Sequence, residues 1–453
     1  MPTETAVSER MDRPPGWRRH AGLINVAAKL SGAAFAFLLN ILLARSMEPT
    51  GFAHVSLTLA WLAMATALGS ISMPLVVVRF VGESLASDRP DLARGVLIFG
   101  FGSALLTSLL LMAAAWVVLQ LGWIEPTASS IPLVKIGLAL LLPNVLVSVL
   151  AGSLQALHHA LLAEVLSSML RTVLMLLGLA ALWPAAGTWL SPAVVMDLYL
   201  AVSVLLLLIA SALTYQLQRR AIPQVAPGYA PRPWAQAAVG VLAVLLVAAA
   251  NERLDLLLLG WQAPESSVAV YAVAQRFSQT VLMAVNAITT VMAPQFVACL
   301  PALRAGNTQQ AQEVVARSTR LVVLTCFAAL MSFALLGPWL TRLFGAHYAA
   351  AYGPLMVLLG GQLLAALCGP AVLLAALSGH SREAILSLCM GMLVNAALNW
   401  ICVPFGGAWG AATATAIGSV VCAGWANHRM RVRLGLNTVF RLSDLRFQRA
   451  ALS

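Results

Sequence analysis

Twelve long apolar runs, each near the twenty or so residues needed to cross a bilayer core, constrain the fold of this 453-residue chain more than any other feature. They lie near 21–44, 52–76, 95–120, 133–154, 161–184, 193–214, 236–259, 267–294, 320–341, 354–377, 384–403 and 408–428. In lipid, every backbone N–H and C=O must be paired within a helix or a closed barrel, and these runs are too long and too uniformly apolar for barrel strands. The expected fold is an all-α polytopic membrane protein of about twelve transmembrane helices. Composition agrees: 60% of residues are hydrophobic, only 9% are charged, and mean hydropathy is +0.88.

The net charge of +11 would suit nucleic acid if the basic residues shared a face with aromatic ones, but they gather at the ends of the apolar runs. That placement excludes nucleic acid as a partner and marks orientation in the bilayer instead. Arg18, Arg19, Arg79, Arg89, Arg94, Arg219, Arg220, Arg232, Arg317, Arg382 and the arginines after residue 428 fall on one side, against only Arg45 and Arg342 on the other. Both termini are expected to be cytoplasmic. Lys29, Lys135, Arg171, Arg253 and Arg276 fall inside spans. Arg18-Arg19 leads into a span that carries Lys29 and lacks an Ala-x-Ala exit, so no cleaved signal peptide is expected. The six cysteines form no Cys-x-x-Cys pair and read as buried, inert thiols rather than metal ligands.

One long polar break, with Arg219-Arg220, Pro223, Pro227, Pro231 and Pro233, divides the runs six and six. The organisation that follows is a cytoplasmic N-terminal tail (1–20), an N-lobe (21–214), a cytoplasmic linker (215–235), a C-lobe (236–428) and a basic cytoplasmic tail (429–453). The lobes read as copies. Asn40 to Pro49 parallels Asp255 to Pro264 with one constant offset, and His158-His159 parallels Gly379-His380. Because each half begins on the same side with an even number of helices, the repeat is parallel, about an axis along the membrane normal. Transporters of this plan place their substrate path between the halves.

The run from Ser267 to Pro294 carries Gln275, Arg276, Gln279 and Asn286, which at about 100° per residue share one side of a helix. A charge at the bilayer centre costs about 2.5–3.5 kcal/mol, so these groups should face protein or water. Arg276 has two readings: its planar fork binds a phosphate, or it forms an ion pair with Asp255 or Glu252. The first run places Asn25, Lys29 and Asn40 on one face, with Lys29 either cationic in a cavity or snorkelling to the headgroups. Glu164, Ser168 and Arg171 share a face of the fifth run, leaving Arg171 between a substrate role and an ion pair with Glu164. Asn251, Glu252 and Asp255 form a polar cluster that would bind a proton or sodium ion if the acids raise one another's pKa, with local neutralisation by Arg253 as the competing reading. Asn395 and Asn399, and Gly406 with Gly410, read as helix packing.

The order of several short motifs resembles polysaccharide (lipid-linked oligosaccharide) flippases of the MATE-like MOP superfamily. These motifs are Leu43-Ala-Arg45 with Pro49, Asp255, Val270-Tyr271, Ala274-Gln-Arg276 and Pro294, then Tyr352-Gly353, Gly379-His380, Asn395, Asn399 and Pro404 through Ala412. The likeness covers roughly residues 20 to 430; Glu48 and Ala53 stand where the family often has glycine, and many members have fourteen helices. It implies a bacterial inner-membrane transporter that flips a polyprenyl-diphosphate oligosaccharide for O-antigen, capsule or exopolysaccharide assembly. It also implies that Arg276 binds the diphosphate, and that the lipid-linked oligosaccharide and other polysaccharide assembly proteins are the partners. A drug or cation antiporter of the same superfamily is the alternative, but it calls for an acid on the first helix, which offers Asn25, Lys29 and Asn40. A membrane glycosyltransferase or polymerase would need a large outward loop, and the outward loops here are short. No catalytic, nucleotide-binding or metal-ligand motif occurs, so the chain is read as a transporter without a bound cofactor, coupled if at all to a proton or sodium ion.

Overall fold

In the computed structural model the described residues are 31–32, 34–122, 131–186, 190–304 and 308–440. Asn25 and Lys29 therefore lie outside the described residues, as do the 1–20 tail and the last part of the basic tail. Every regular element among the described residues is helical. In order these are α1 (Ala34–Ser46), α2 (Pro49–Gly69), α3 (Met73–Ala86), α4 (Pro90–Gln120) and α5 (Ile131–Ala156). Next come α6 (Ala160–Glu164, a π turn over Val165–Met169, then Leu170–Ala186), α7 (Pro192–Ala221), α8 (Pro231–Gln262), α9 (Glu265–Arg304) and α10 (Gln309–Arg342). A 3₁₀ turn, Ala346–Ala351, leads to α11 (Tyr352–Leu367), α12 (Ala371–Leu377), α13 (Ser381–Gly406) and α14 (Ala408–Leu434). Proline opens α2, α3, α4, α7 and α8, where its missing N–H costs no helical hydrogen bond.

Ten segments among the described residues are long and apolar enough to span a membrane, counting α2 with α3 as one and the 3₁₀ turn with α11 as another. The protein is a multi-pass membrane protein. The described part of α1 is too short for that test, and the apolar part of α14 is built largely of Ala, Gly, Ser and Thr. Two expected spans are broken. The second turns at Ser70 to Ser72, where Ile71 and Ser72 take positive φ, and α5 crosses so closely that a Cβ on Gly152 would strike the Pro74 backbone. The tenth is interrupted between α11 and α12 at Gly369 (φ +72°) and Pro370.

The expected linker 215–235 contracts to 222–230, because α7 and α8 continue into polar sequence beyond their apolar runs. Extending a formed helix adds one hydrogen bond per residue fixed, so a helix need not stop where its apolar run does. The linker is strapped to the N-lobe: Gly228 N–H donates to Asp91 O (2.9 Å) and Arg94 Nη1 donates to Val225 O (2.6 Å), while buried Trp234 at the start of α8 packs at a tilt against Phe99 (5.4 Å).

Helices α1–α7 pack as one lobe and α8–α14 as the other, with α8 and α9 lying along α2 at the seam. At the end holding Glu48 and Pro264 the seam is closed. Phe37 of α1 meets Phe277 of α9 (5.1 Å) and Phe344 (5.7 Å), and Phe52 meets Tyr348 (5.7 Å). Arg45 Nε donates to Leu343 O (2.6 Å), and His54 pairs with Glu265 (2.7 Å). Along α9 the residues from Val268 to Phe277 are largely buried, whereas past Val281 Leu282, Met283 and Asn286 are exposed. The exposed stretch of α9 thus lies towards the end that carries the linker, where Leu282, Met283 and Asn286 line a cavity in the C-lobe.

The first residues after α14 are not a free tail. Gly435 (φ +65°) reverses the chain, Leu436 and Thr438 are buried, and Phe440 N–H donates to Leu367 O (2.8 Å). Thr438 Oγ1 serves Cys368 O and Asn427 Oδ1, while Gln312 holds both backbone groups of Asn437. This strap spans the break between α11 and α12, and its neutral sequence, Gly-Leu-Asn-Thr-Val-Phe, explains why it buries while the arginines around it do not. Thr438→Val should lower stability by about 0.5–1.5 kcal/mol by removing the hydroxyl hydrogen bond shared between the half-buried Cys368 carbonyl and Asn427 amide oxygen, read as a lower melting temperature in detergent.

A candidate substrate cavity between and within the lobes

On α9, Gln275, Ser278, Gln279, Leu282, Asn286 and Thr289 recur at helical spacing and face the interior of the C-lobe. With Asn251, Glu252, Arg253 and Asp255 of α8, Gln362 of α11, and Thr415 and Ser419 of α14, they line a cavity of about 500 Å³. Asp255 is its deepest charge, 2% exposed, and a buried carboxylate is tolerated only where hydrogen bonds replace its water. It accepts from Tyr271 Oη, from Leu256 N–H (2.9 Å), from Thr415 Oγ1 (3.2 Å) and from Gln275 Nε2 (3.3 Å). All four donors are neutral. Asp255 is thus solvated by the protein without a cation, and Glu252 is not its partner: Asn251 and Glu252 stand exposed at the cavity rim.

Arg276 is half-buried beside Gln275 but departs from the stripe that lines the cavity. Its Nη1 donates to Gln279 Oε1 (3.4 Å), and the guanidinium lies within Coulombic reach of Arg253 on α8 and of Tyr199 on α7, in the other lobe. Arg171 of α6 places its guanidinium carbon 5.9 Å from the same Tyr199 ring, and its buried Nε has no hydrogen-bond partner. Glu164 turns to Ser168 instead (3.0 Å), so the expected alternative of a Glu164–Arg171 pair is not formed. Among the described residues the ion pairs involve His54, Arg79, Arg89, Arg429 and Arg433, and none involves Arg171, Arg253 or Arg276. Arg171 and Arg276, from opposite lobes, thus both lie by Tyr199, with Arg253 beside Arg276 on the cavity wall, and no carboxylate pairs with any of the three.

Asn40 donates to Ala36 O (2.6 Å) within α1 and is half-buried. Asn399 donates to Asn395 Oδ1 (2.7 Å) where α13 meets α14, a packing contact outside the cavity lining. Gly410 is pressed against the Cys402 carbonyl, whereas Gly406 stands in open space, so only the former is a close-packing glycine. Among the described residues no group of three or more His, Cys, Asp or Glu is placed to hold a metal.

The sequence reading gave no role to Thr415 or Gln362, took Tyr271 only as part of a motif, and took Arg253 as a neutraliser of the neighbouring acids, with which it forms no ion pair. Thr415 and Gln362 carry no local signal, since their role comes from helices 107 to 160 residues from Asp255 meeting at one point.

No curated protein matches the chain. Solved structures do. A MATE family transporter of the MOP superfamily in its inward-facing conformation aligns with a TM-score of 0.72 at 13% identity, covering 89% of this chain and 94% of that one. The lipid II flippase MurJ in an inward closed conformation aligns with a TM-score of 0.69 at 12% identity, covering 93% and 89%. A MATE transporter of Vibrio cholerae aligns with a TM-score of 0.60 at 15% identity, covering 90% and 95%. At these identities the likeness establishes the fold, which is that of transporters and flippases rather than of enzymes. The polysaccharide biosynthesis protein family matches residues 20–299, more than half of the chain, and the protein belongs to that family.

Proposed function

We propose that the protein flips a polyprenyl-diphosphate-linked oligosaccharide across the bacterial inner membrane by alternating access, for O-antigen, capsule or exopolysaccharide assembly. The observation that carries this reading is the set of unpaired arginines, Arg171 and Arg276 by Tyr199 where the lobes meet and Arg253 on the wall of the C-lobe cavity. Each is costly in a membrane, by about 2.5–3.5 kcal/mol on insertion scales, and none recovers that cost from a carboxylate. A diphosphate recovers it, since guanidinium groups bind phosphate oxygens bidentately. Membership of a polysaccharide biosynthesis family supports a glycan-bearing lipid as the anion, and the MurJ-like fold supports a flipping motion.

With both termini cytoplasmic, the closed seam faces outward and the exposed stretch of α9 lies towards the cytoplasm, where such lipids are built. Asn40, Gln275, Gln279 and Asn286 supply polar wall, and Lys29 and Asn25, which lie outside the described residues, remain proposed substrate-cavity residues from the sequence. Asp255 is the proposed coupling group: Tyr271 and Thr415 can accept as well as donate, so their hydroxyls can reorient around a proton or sodium ion. An organic-cation antiporter is disfavoured because three arginines without a carboxylate partner repel its substrate.

Cells lacking the gene should lose surface polysaccharide and accumulate the lipid-linked oligosaccharide on the cytoplasmic leaflet, read with a membrane-impermeant glycan-oxidising reagent. Accumulation on the outer leaflet would place the protein after the flipping step and overturn the proposal.

A further inference from the structure

The C-lobe cavity is chemically unlike the arginine cluster beside it. Its wall is a largely apolar surface set with amides and hydroxyls, among them Gln275, Gln279, Asn286, Gln362, Thr415 and Ser419, a mixture that matches the apolar faces and hydroxyl rims of a sugar. Its one deep charge, Asp255, is already enclosed by neutral donors. Such a wall within a membrane domain suits an uncharged ligand rich in hydroxyl groups, because each amide and hydroxyl can donate and accept where lipid can do neither. Its volume, about 500 Å³, falls within the roughly 300–1,000 Å³ typical of small-molecule sites.

One contact joins this cavity to the neighbouring arginines: Gln279 is at once a cavity residue and the acceptor for Arg276 (3.4 Å), and Arg253 itself lines the cavity. On the wall, Gln362 commits its Nε2 to the Ser278 carbonyl (3.1 Å) and hydroxyl (2.8 Å), leaving its buried Oε1 without a donor.

We infer that this C-lobe cavity is a glycan subsite: it takes the first sugars of the substrate while the adjoining arginines hold the diphosphate. The inference rests on the flippase reading. It divides recognition into a part common to all polyprenyl diphosphates, carried by Arg171, Arg253 and Arg276, and a part that reads the sugar, carried by the amides. Asn286, exposed on the open side of α9, meets the glycan at the cavity mouth, and Ser419 of α14 bounds the space the glycan occupies.

The test uses the full-length protein in lipid nanodiscs and three probes: polyprenyl-diphosphate glycans extracted from cells deleted for the gene, bare polyprenyl diphosphate, and polyprenyl alcohol. Wild type should bind the glycan-bearing lipid about tenfold or more tighter than the bare diphosphate, the effect of one or two well-made hydrogen bonds. Asn286→Leu, which removes an amide at an exposed position and so spares the fold, should bring that ratio close to one. Ser419→Phe, which fills the cavity, should do the same. Arg276→Gln should weaken both diphosphates together and keep the ratio. A ratio retained in both cavity variants, or absent in wild type because the cavity holds only water, overturns the inference. Equal binding of bare diphosphate and polyprenyl alcohol would instead overturn the diphosphate reading beneath it.

Discussion

Arg276→Glu is expected to abolish transport while leaving a folded protein in the membrane. Guanidinium-to-phosphate hydrogen bonds contribute about 1.5–3 kcal/mol, and a carboxylate in their place adds repulsion of a few kcal/mol at an effective dielectric near 20. Together these amount to about a thousandfold loss in substrate affinity. Folding should survive because Arg276 is bonded only to Gln279, so no buried acid is left unpaired. Had it been the partner of Asp255, the same change would leave two buried acids facing one another and destabilise the C-lobe. Arg276→Lys should be intermediate, about tenfold reduced, since it keeps the charge and loses the fork. Export assays of surface polysaccharide, run beside melting curves of the purified variants, separate these outcomes. Wild-type export by the glutamate variant would end the assignment of Arg276 to the substrate.

How far the sequence foretells this arrangement depends on how local each feature is. Apolar run length is a local property, and it yields the helices and the break between the lobes. The runs at 52–76 and 354–377 do not reveal their breaks, because Ile71 and Ser72 carry no turn signature, and Gly369-Pro370 can also be read as a kink within one helix. The stripe on α9 is legible from periodicity, yet periodicity cannot say that Gln275 turns into the C-lobe while Arg276 reaches towards Tyr199 of the N-lobe. One residue is 100° of rotation, and here that separates two compartments. The environment of Asp255 was beyond the sequence for another reason. Its neighbours in sequence, Glu252 and Arg253, suggested an acid pair or a local ion pair, and the groups that in fact solvate it come from α9 and α14.

The second large effect concerns the closed end of the seam, where Phe37→Ala is expected to shift the lobes towards the opposite conformation. The seal has polar and aromatic parts. The His54–Glu265 contact has a glutamate side chain 48% exposed, and pairs of that kind contribute about 0–1 kcal/mol. The aromatic part is larger. Phe37 is the N-lobe ring, and it packs edge-on against Phe277 and Phe344 of the C-lobe, each such pair adding about 0.5–1.5 kcal/mol beyond its buried area. Both contacts cross the seam, so truncating Phe37 removes energy from this conformation and little from the lobes themselves. Phe277→Ala, in contrast, would also lose Phe333 within its own lobe and confound gating with stability. A differential loss of about 2–3 kcal/mol multiplies the population open at this end by about 30- to 150-fold. Spin labels at exposed Glu48 and His347, on opposite sides of the seam, should report a longer distance in Phe37→Ala than in wild type, with the melting temperature little changed. An unchanged distance distribution would mean that the rings do not hold the seam. Arg45, whose Nε reaches the Leu343 carbonyl (2.6 Å), would then be the next residue to remove, because it too links the lobes across the same gap.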